Sequence, residues 1–257
     1  MKRNKLDNFV ITYFIIPINF AWYEIKSKYY RSKIGPFWIT LSTIVTISGL
    51  SFVFYSIFNI PLQETIPWIS CGIIVWVYIS TVIDESTSLL VDGSLLEINI
   101  SLFEIVLKNT YKNFIILFHN IIILIPVSFI FGLEKNLSLI FIFYGLTLLF
   151  INSISFSIIF GLLCLRFRDY ISIIKSLLYL VFLMTPIFWM PTVLTNNRKV
   201  LVDVNPVYQI IQTIRDPFLG NSLSSYGIYF TIIFTFVCGI IAMYYYQKFS
   251  KIFRIWI

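Results

Sequence analysis

The chain has 257 residues, of which 58% are hydrophobic and 12% charged, with nineteen Lys and Arg against twelve Asp and Glu and a net charge of +7. Soluble domains carry about twice that charged share, so a water-exposed globule is excluded and an all-α integral membrane protein is expected. The basic excess lies beside apolar runs and not on a soluble module, which excludes nucleic-acid binding and points to membrane topology.

Residues 1–36 form an N-terminal cytoplasmic and interfacial region. Lys2, Arg3 and Lys5 are followed by Asp7, Asn8 and Pro17 with no small-residue cleavage site, so no cleavable signal peptide is expected. Ile18, Trp22, Ile25 and Tyr29 recur at helical spacing, with Glu24, Ser27, Lys28 and Arg31 opposite. This is the pattern of an amphipathic helix in a membrane interface. Gly35-Pro36 ends it, because proline lacks a backbone donor.

Six apolar runs approach the ~20 residues that a span needs. They are 37–58, 66–83, 114–131, 137–165, 171–190 and 226–246, and Lys175 is the one Lys, Arg, Asp or Glu inside them. Segments 1–36, 84–113, 166–175 and 247–257 hold all the Lys and Arg except Lys135, Arg198, Lys199 and Arg215. The basic side is expected to be cytoplasmic, with both termini there and an even number of crossings of the inner membrane.

The connections carry further signals. Ser42, Thr46 and Gly49 make a small-residue seam on the first span, which permits close helix approach. Phe52, Phe54, Tyr55 and Phe58 crowd its outer end, either as an interfacial belt or as rings that stack on sugars. Segment 84–113 is too interrupted by Asp84, Glu85, Asp92, Glu97, Glu104 and Lys108 to cross; it reads as a surface loop or as a docking surface of short amphipathic helices. His119 has no carboxylate partner in any other span, so it reads as a packing or hydrogen-bonding residue. Asn152 and Ser155 share a face of the fourth run, where they can line a polar path or bond to a neighbouring helix. Segment 191–225, divided by Pro191, Pro206 and Pro217, reads as a re-entrant gate or a folded external loop. Cys71, Cys164 and Cys238 have no paired spacing and read as packing residues.

Catalytic signatures are missing. No glycine precedes a lysine, so there is no phosphate loop, and neither His-Glu-x-x-His nor Gly-x-Ser-x-Gly occurs. One histidine leaves no triad and no metal set is spaced for ligation, so the chain is expected not to be an enzyme and to hold no cofactor.

Three stretches resemble a known family. They are Phe20-Ala21-Trp22-Tyr23-Glu24-Ile25-Lys26 through Tyr30-Arg31-Ser32-Lys33-Ile34-Gly35-Pro36-Phe37-Trp38; Arg166-Phe167-Arg168-Asp169 with Thr185-Pro186-Ile187-Phe188; and Val204-Asn205-Pro206 with Arg215 and Leu219-Gly220. In order and spacing the chain is similar to permease subunits of type-2 ABC transporters that export O-antigen, capsule or teichoic acid. The resemblance implies a homodimer joined to two copies of a separate ATPase that binds ATP and Mg, and a glycan on undecaprenyl diphosphate as cargo. O-antigen export for lipopolysaccharide biosynthesis is the leading reading. The resemblance also implies that Tyr55, Phe58 and Trp189 line the sugar path. Trp22, Lys26, Lys28, Arg31 and Lys33 would meet the lipid head group or serve as inner-side anchors. The 84–113 loop, with Asp84, Glu85, Asp92 and Glu97, would couple to the ATPase. Export of a drug or small lipid, or a non-transporting assembly scaffold, are the rival expectations.

Overall fold

In a computed structural model, residues 11–91, 100–133, 138–191, 196–251 and 253–256 are described, and all regular structure among them is helical. A single π-helical stretch, Ile11–Ile15, runs into α1 (Ile16–Lys28). Then follow α2 (Phe37–Phe58), α3 (Leu62–Ser88), α4 (Leu102–Ile121) and α5 (Leu124–Phe131). The second half contains α6 (Leu139–Arg166), α7 (Tyr170–Met184), α8 (Asn196–Asp203), α9 (Pro206–Phe218), α10 (Ser225–Phe249) and α11 (Phe253–Trp256).

Helix α3 is apolar on all sides and buried along most of its length, as a central helix must be. Helices α2, α4, α6, α7 and α9 pack around it, and α10 lies on α6. Among the described residues, five helical stretches are long and apolar enough to cross a membrane: α2, α3, Leu102–Phe131, α6 and α10. Within Leu102–Phe131, Pro126 has no N–H to bond back to Ile122, and the helix breaks between α4 and α5.

Three expected boundaries move. The run 171–190 yields only the 15 residues of α7, about 22 Å long against a ~30 Å hydrocarbon core. Its end is set by Pro186, which drives Thr185 into extended backbone at φ −91°, ψ 134°. The loop expected over 84–113 is largely helix: α3 runs on through Asp84 and Glu85, and α4 starts at Leu102. A capping box sets that start, with Ser101 Oγ accepting from Glu104 N and the Glu104 carboxylate accepting from Ser101 N at 2.7 Å. In segment 191–225 the structure forms α8 and α9, and Asn205 caps α9 by accepting from Val207 N and Tyr208 N.

The interface helix also turns differently. Its buried face is Pro17, Ala21 and Ile25, while Trp22 is 53% exposed. The helix stops at Lys28, so Tyr29, Arg31 and Lys33 lie in the turn towards Gly35, whose φ is +64°. On α2 the seam Ser42-Thr46-Gly49 points away from the bundle, and Thr43, Ile47 and Ser51 are the buried side. The three cysteines are free and buried, as expected of packing residues.

Candidate functional site

The helices alternate in direction, so one end of the bundle collects α1, the end of α3, the start of α4, the end of α6 and the end of α10. Most described Lys and Arg residues lie there, and it is called the basic end below.

Helix α1 is tied to this end by charge. Glu24 receives Lys108 at 2.7 Å and Lys112 at 2.6 Å, both from α4. Lys112 also reaches Glu85 of α3 at 2.9 Å, and Asn113 donates to the same carboxylate at 2.7 Å. Burial pushes the Glu24 carboxyl up, but the ammonium groups of Lys108 and Lys112 outweigh it and hold the carboxyl below its usual range. Helix α7 joins through Lys175 and Asp84 at 3.4 Å. One storey deeper, Ser86 of α3 donates to Ser157 of α6, which also accepts from Asn109 of α4. Five helices, α1, α3, α4, α6 and α7, thus share one polar assembly at the basic end.

A pocket of about 410 Å³ opens beside it, lined by Trp22, Ile25, Lys26, Tyr29, Tyr30 and Pro36. It exists because α1 stops at Lys28 and the chain doubles back through the Gly35-Pro36 turn before α2. One ammonium and three aromatic rings converge there. Such a site takes an anionic group flanked by a ring or a flat apolar face. Burial raises the Tyr29 phenol above its ordinary value, so its hydroxyl stays neutral.

The opposite end turns on Arg215. Its side chain is fully buried, and it donates from Nη1 to Pro186 O at 2.9 Å and from Nη2 to Ile187 O at 3.0 Å. Its guanidinium carbon stands 4.0 Å from the centre of the Trp68 ring, and Trp68 Nε1 donates to Trp189 O at 3.2 Å. Asn205 donates to Thr185 Oγ1 at 2.9 Å. Arg215 and Asn205 together clamp α9 onto the broken stretch after α7, and α3 onto both.

Of the residues singled out from sequence, Trp22 and Lys26 meet in the pocket beside α1, whereas Lys28, Arg31 and Lys33 are exposed outside its lining. Asp84 and Glu85 are engaged by Lys175, Lys112 and Asn113. Asp92 and Glu97 lie outside the described residues. Phe58 stacks on Phe54 at 5.1 Å, and Phe54 meets Phe188 at 5.5 Å, which brings the end of α2 away from the basic end against the stretch holding Trp189. Tyr55 is 47% exposed on the outward side of α2. Asn152 and Ser155 do not share a path: Asn152 donates to Thr235 of α10 at 2.8 Å, and Ser155 faces a separate apolar cavity. His119 packs on Phe37 at 5.5 Å between ring centres, which agrees with the packing reading.

Glu24, Lys108, Lys112 and Arg215 were visible in the sequence but without the roles they hold. The usable signal was Lys108-Asn109 and Lys112-Asn113, two polar pairs one turn apart on α4.

The family model described as ABC-2 type transporter matches residues 18–219, from α1 through the end of α9, and so includes both sites. The O-antigen export system permease protein RfbA of Klebsiella pneumoniae is 23% identical over 230 residues, covering 84% of this chain and 86% of that protein. With its spanning helices and a family match over most of its length, the chain belongs to the ABC-2 type transporter family, as a multi-pass membrane component of such a transporter.

Proposed function

We propose that the chain is the permease of an ATP-driven exporter that moves a lipid-linked polysaccharide of the O-antigen type out across the inner membrane. The inner pocket carries the reading: Lys26 among Trp22, Tyr29 and Tyr30 suits a lipid diphosphate joined to a sugar ring. The likeness to an O-antigen export permease supports the same cargo. The carrier is undecaprenyl diphosphate in this reading, and Lys28, Arg31 and Lys33 attract the anionic leaflet around it.

The same reading extends to the rest of the assembly. Two copies of the permease form the channel, because α2 buries only Thr43, Ile47 and Ser51 within one copy and leaves Ser42, Thr46 and Gly49 outward. Tyr55, Phe58 and Trp189 then line the outer part of the sugar path, and α8 with α9 forms its external gate. The stretch of α7 and 185–190 is the sixth crossing, completed by irregular backbone within protein. Both termini face the cytoplasm, where two separate ATPase subunits hold ATP and Mg. The Asp84–Glu85 end of α3 and the connection to α4 couple their closure to the spans.

Replacement of Lys26 by alanine tests the pocket. Loss of about 1 kcal/mol of attraction for one cation at the membrane surface corresponds to a fall of about fivefold in surface glycan at limiting cargo, with lipid-linked glycan accumulating inside the cell. An unchanged surface glycan in a strain lacking the gene, or accumulation of a small lipid in its place, overturns the proposal.

A further inference from the structure

A second cavity at the basic end is unlike the pocket at Trp22. It measures about 630 Å³ and lies between the first turns of α4, the inner half of α6 and the last turns of α10. Tyr13, Phe103, Tyr111, Phe150, Gly239 and Tyr246 are among its walls. The rings form a collar: Tyr13 meets Phe103 at 5.8 Å, Tyr111 meets Phe150 at 5.8 Å, and Phe103 meets Tyr246 at 6.2 Å. Among the described residues no Asp, Glu, Lys, Arg or His lines the cavity, and two of its polar side chains are engaged. Ser155 donates to Ile151 O at 3.2 Å, and the Tyr111 hydroxyl donates to Tyr13 O at 3.3 Å. A resident water needs about two to four polar partners, so the site is poorly suited to water or to a charged ligand. Its volume falls in the range of pockets that enclose a whole ligand, roughly 300–1,000 Å³.

We propose that this cavity seats one acyl chain of a phospholipid from the leaflet at the basic end. Three observations select that occupant. The walls on α4, α6 and α10 belong to helical stretches of spanning length, so hydrocarbon is the solvent at this depth. Tyr13, Tyr111 and Tyr246 supply amphipathic rings of the kind that sit between acyl chains and head groups. Gly239 borders open space, since a Cβ there would meet nothing within 4 Å. Tyr13 and Trp22 are nine residues apart along a helical run, about 13 Å, so the seat is separate from the head-group pocket and does not depend on the exported cargo.

Native mass spectrometry of the purified permease complex, released from nanodiscs of phosphatidylethanolamine and phosphatidylglycerol, tests this. The wild type retains one phospholipid mass per chain, and Gly239→Phe, which fills the cavity, loses it. Ile233→Phe on the exposed side of α10 retains it. Met243→Trp, from another wall position, gives a second filling variant should Gly239→Phe fail to fold. A diazirine on the acyl chain of a phospholipid labels Tyr111 or Tyr246 in the wild type. Equal lipid in the wild type and both filled variants overturns the proposal. So does labelling by a polyprenyl phosphate probe alone, or a gain of lipid only when residues 2–10 are deleted.

Discussion

Gly72→Ala is the sharpest test of how the end opposite the basic residues is held. An alanine Cβ at this position would fall inside contact distance of Arg215 Nη2 and 2.5 Å from Ile187 O. Neither neighbour is free to move. Arg215 is fully buried and bonded to Pro186 O and Ile187 O, and Ile187 O is backbone. If Arg215 withdraws, it forfeits two hydrogen bonds to a charged group at about 1.5–3 kcal/mol each and a desolvated contact with Trp68 of about 2 kcal/mol. If α3 shifts instead, overpacking costs about 1–3 kcal/mol. The cheaper route sets the outcome, so the substitution costs about 3 kcal/mol. For a chain of this size that lowers Tm by about 6–12 °C, read by size-exclusion thermostability in detergent. Arg215→Met removes the obstructing group, so the double variant is little worse than Arg215→Met alone, with a coupling of about 2 kcal/mol. Gly72→Ala melting within about 1 °C of the wild type, or strict additivity in the double variant, refutes the reasoning.

Two predictions concern the basic end. Lys112→Met strips Glu85 of its ammonium partner and leaves Glu24 only Lys108. A fully buried pair broken on one side costs about 3–5 kcal/mol, but the Glu24 side chain is 39% exposed, so water screening reduces the loss to about 1–2 kcal/mol, visible as a lower Tm; no loss would dismiss the network. Because Glu24 is held below its ordinary value of 4.5, the folded chain releases its proton more readily than the unfolded one. Its contribution is therefore complete above about pH 4.5 and fades as pH falls through the lowered value. Melting curves from pH 7 to 3.5 should show a steeper acid loss for the wild type than for Glu24→Gln, and parallel curves would count against the assignment.

The five long apolar runs were legible because a span must hide every backbone group inside a helix, which leaves an uninterrupted apolar stretch in the sequence. The rotation of each helix was not. In water a large apolar side chain points to the core; in lipid it is equally at home outside, so the stripe that looked buried on α1 holds Trp22, which faces outward. Alongside apolar residues such as Ile25 and Ile47, small and polar ones turn inward: Ala21 and Glu24 on α1, Thr43 and Ser51 on α2, Asn109 and Asn113 on α4, Asn152 and Ser153 on α6. The same inversion explains Arg215. Counted by topology it is one more cation on the outer side, yet its burial among Trp68, Pro186 and Ile187 makes it the clamp of that end. The seam Ser42-Thr46-Gly49 is then informative because it breaks the pattern, being small and polar yet outward in a single copy. If small and polar residues mark protein contacts in this chain, that seam marks a contact that one copy cannot make with itself, and a second copy is the partner the proposed channel requires.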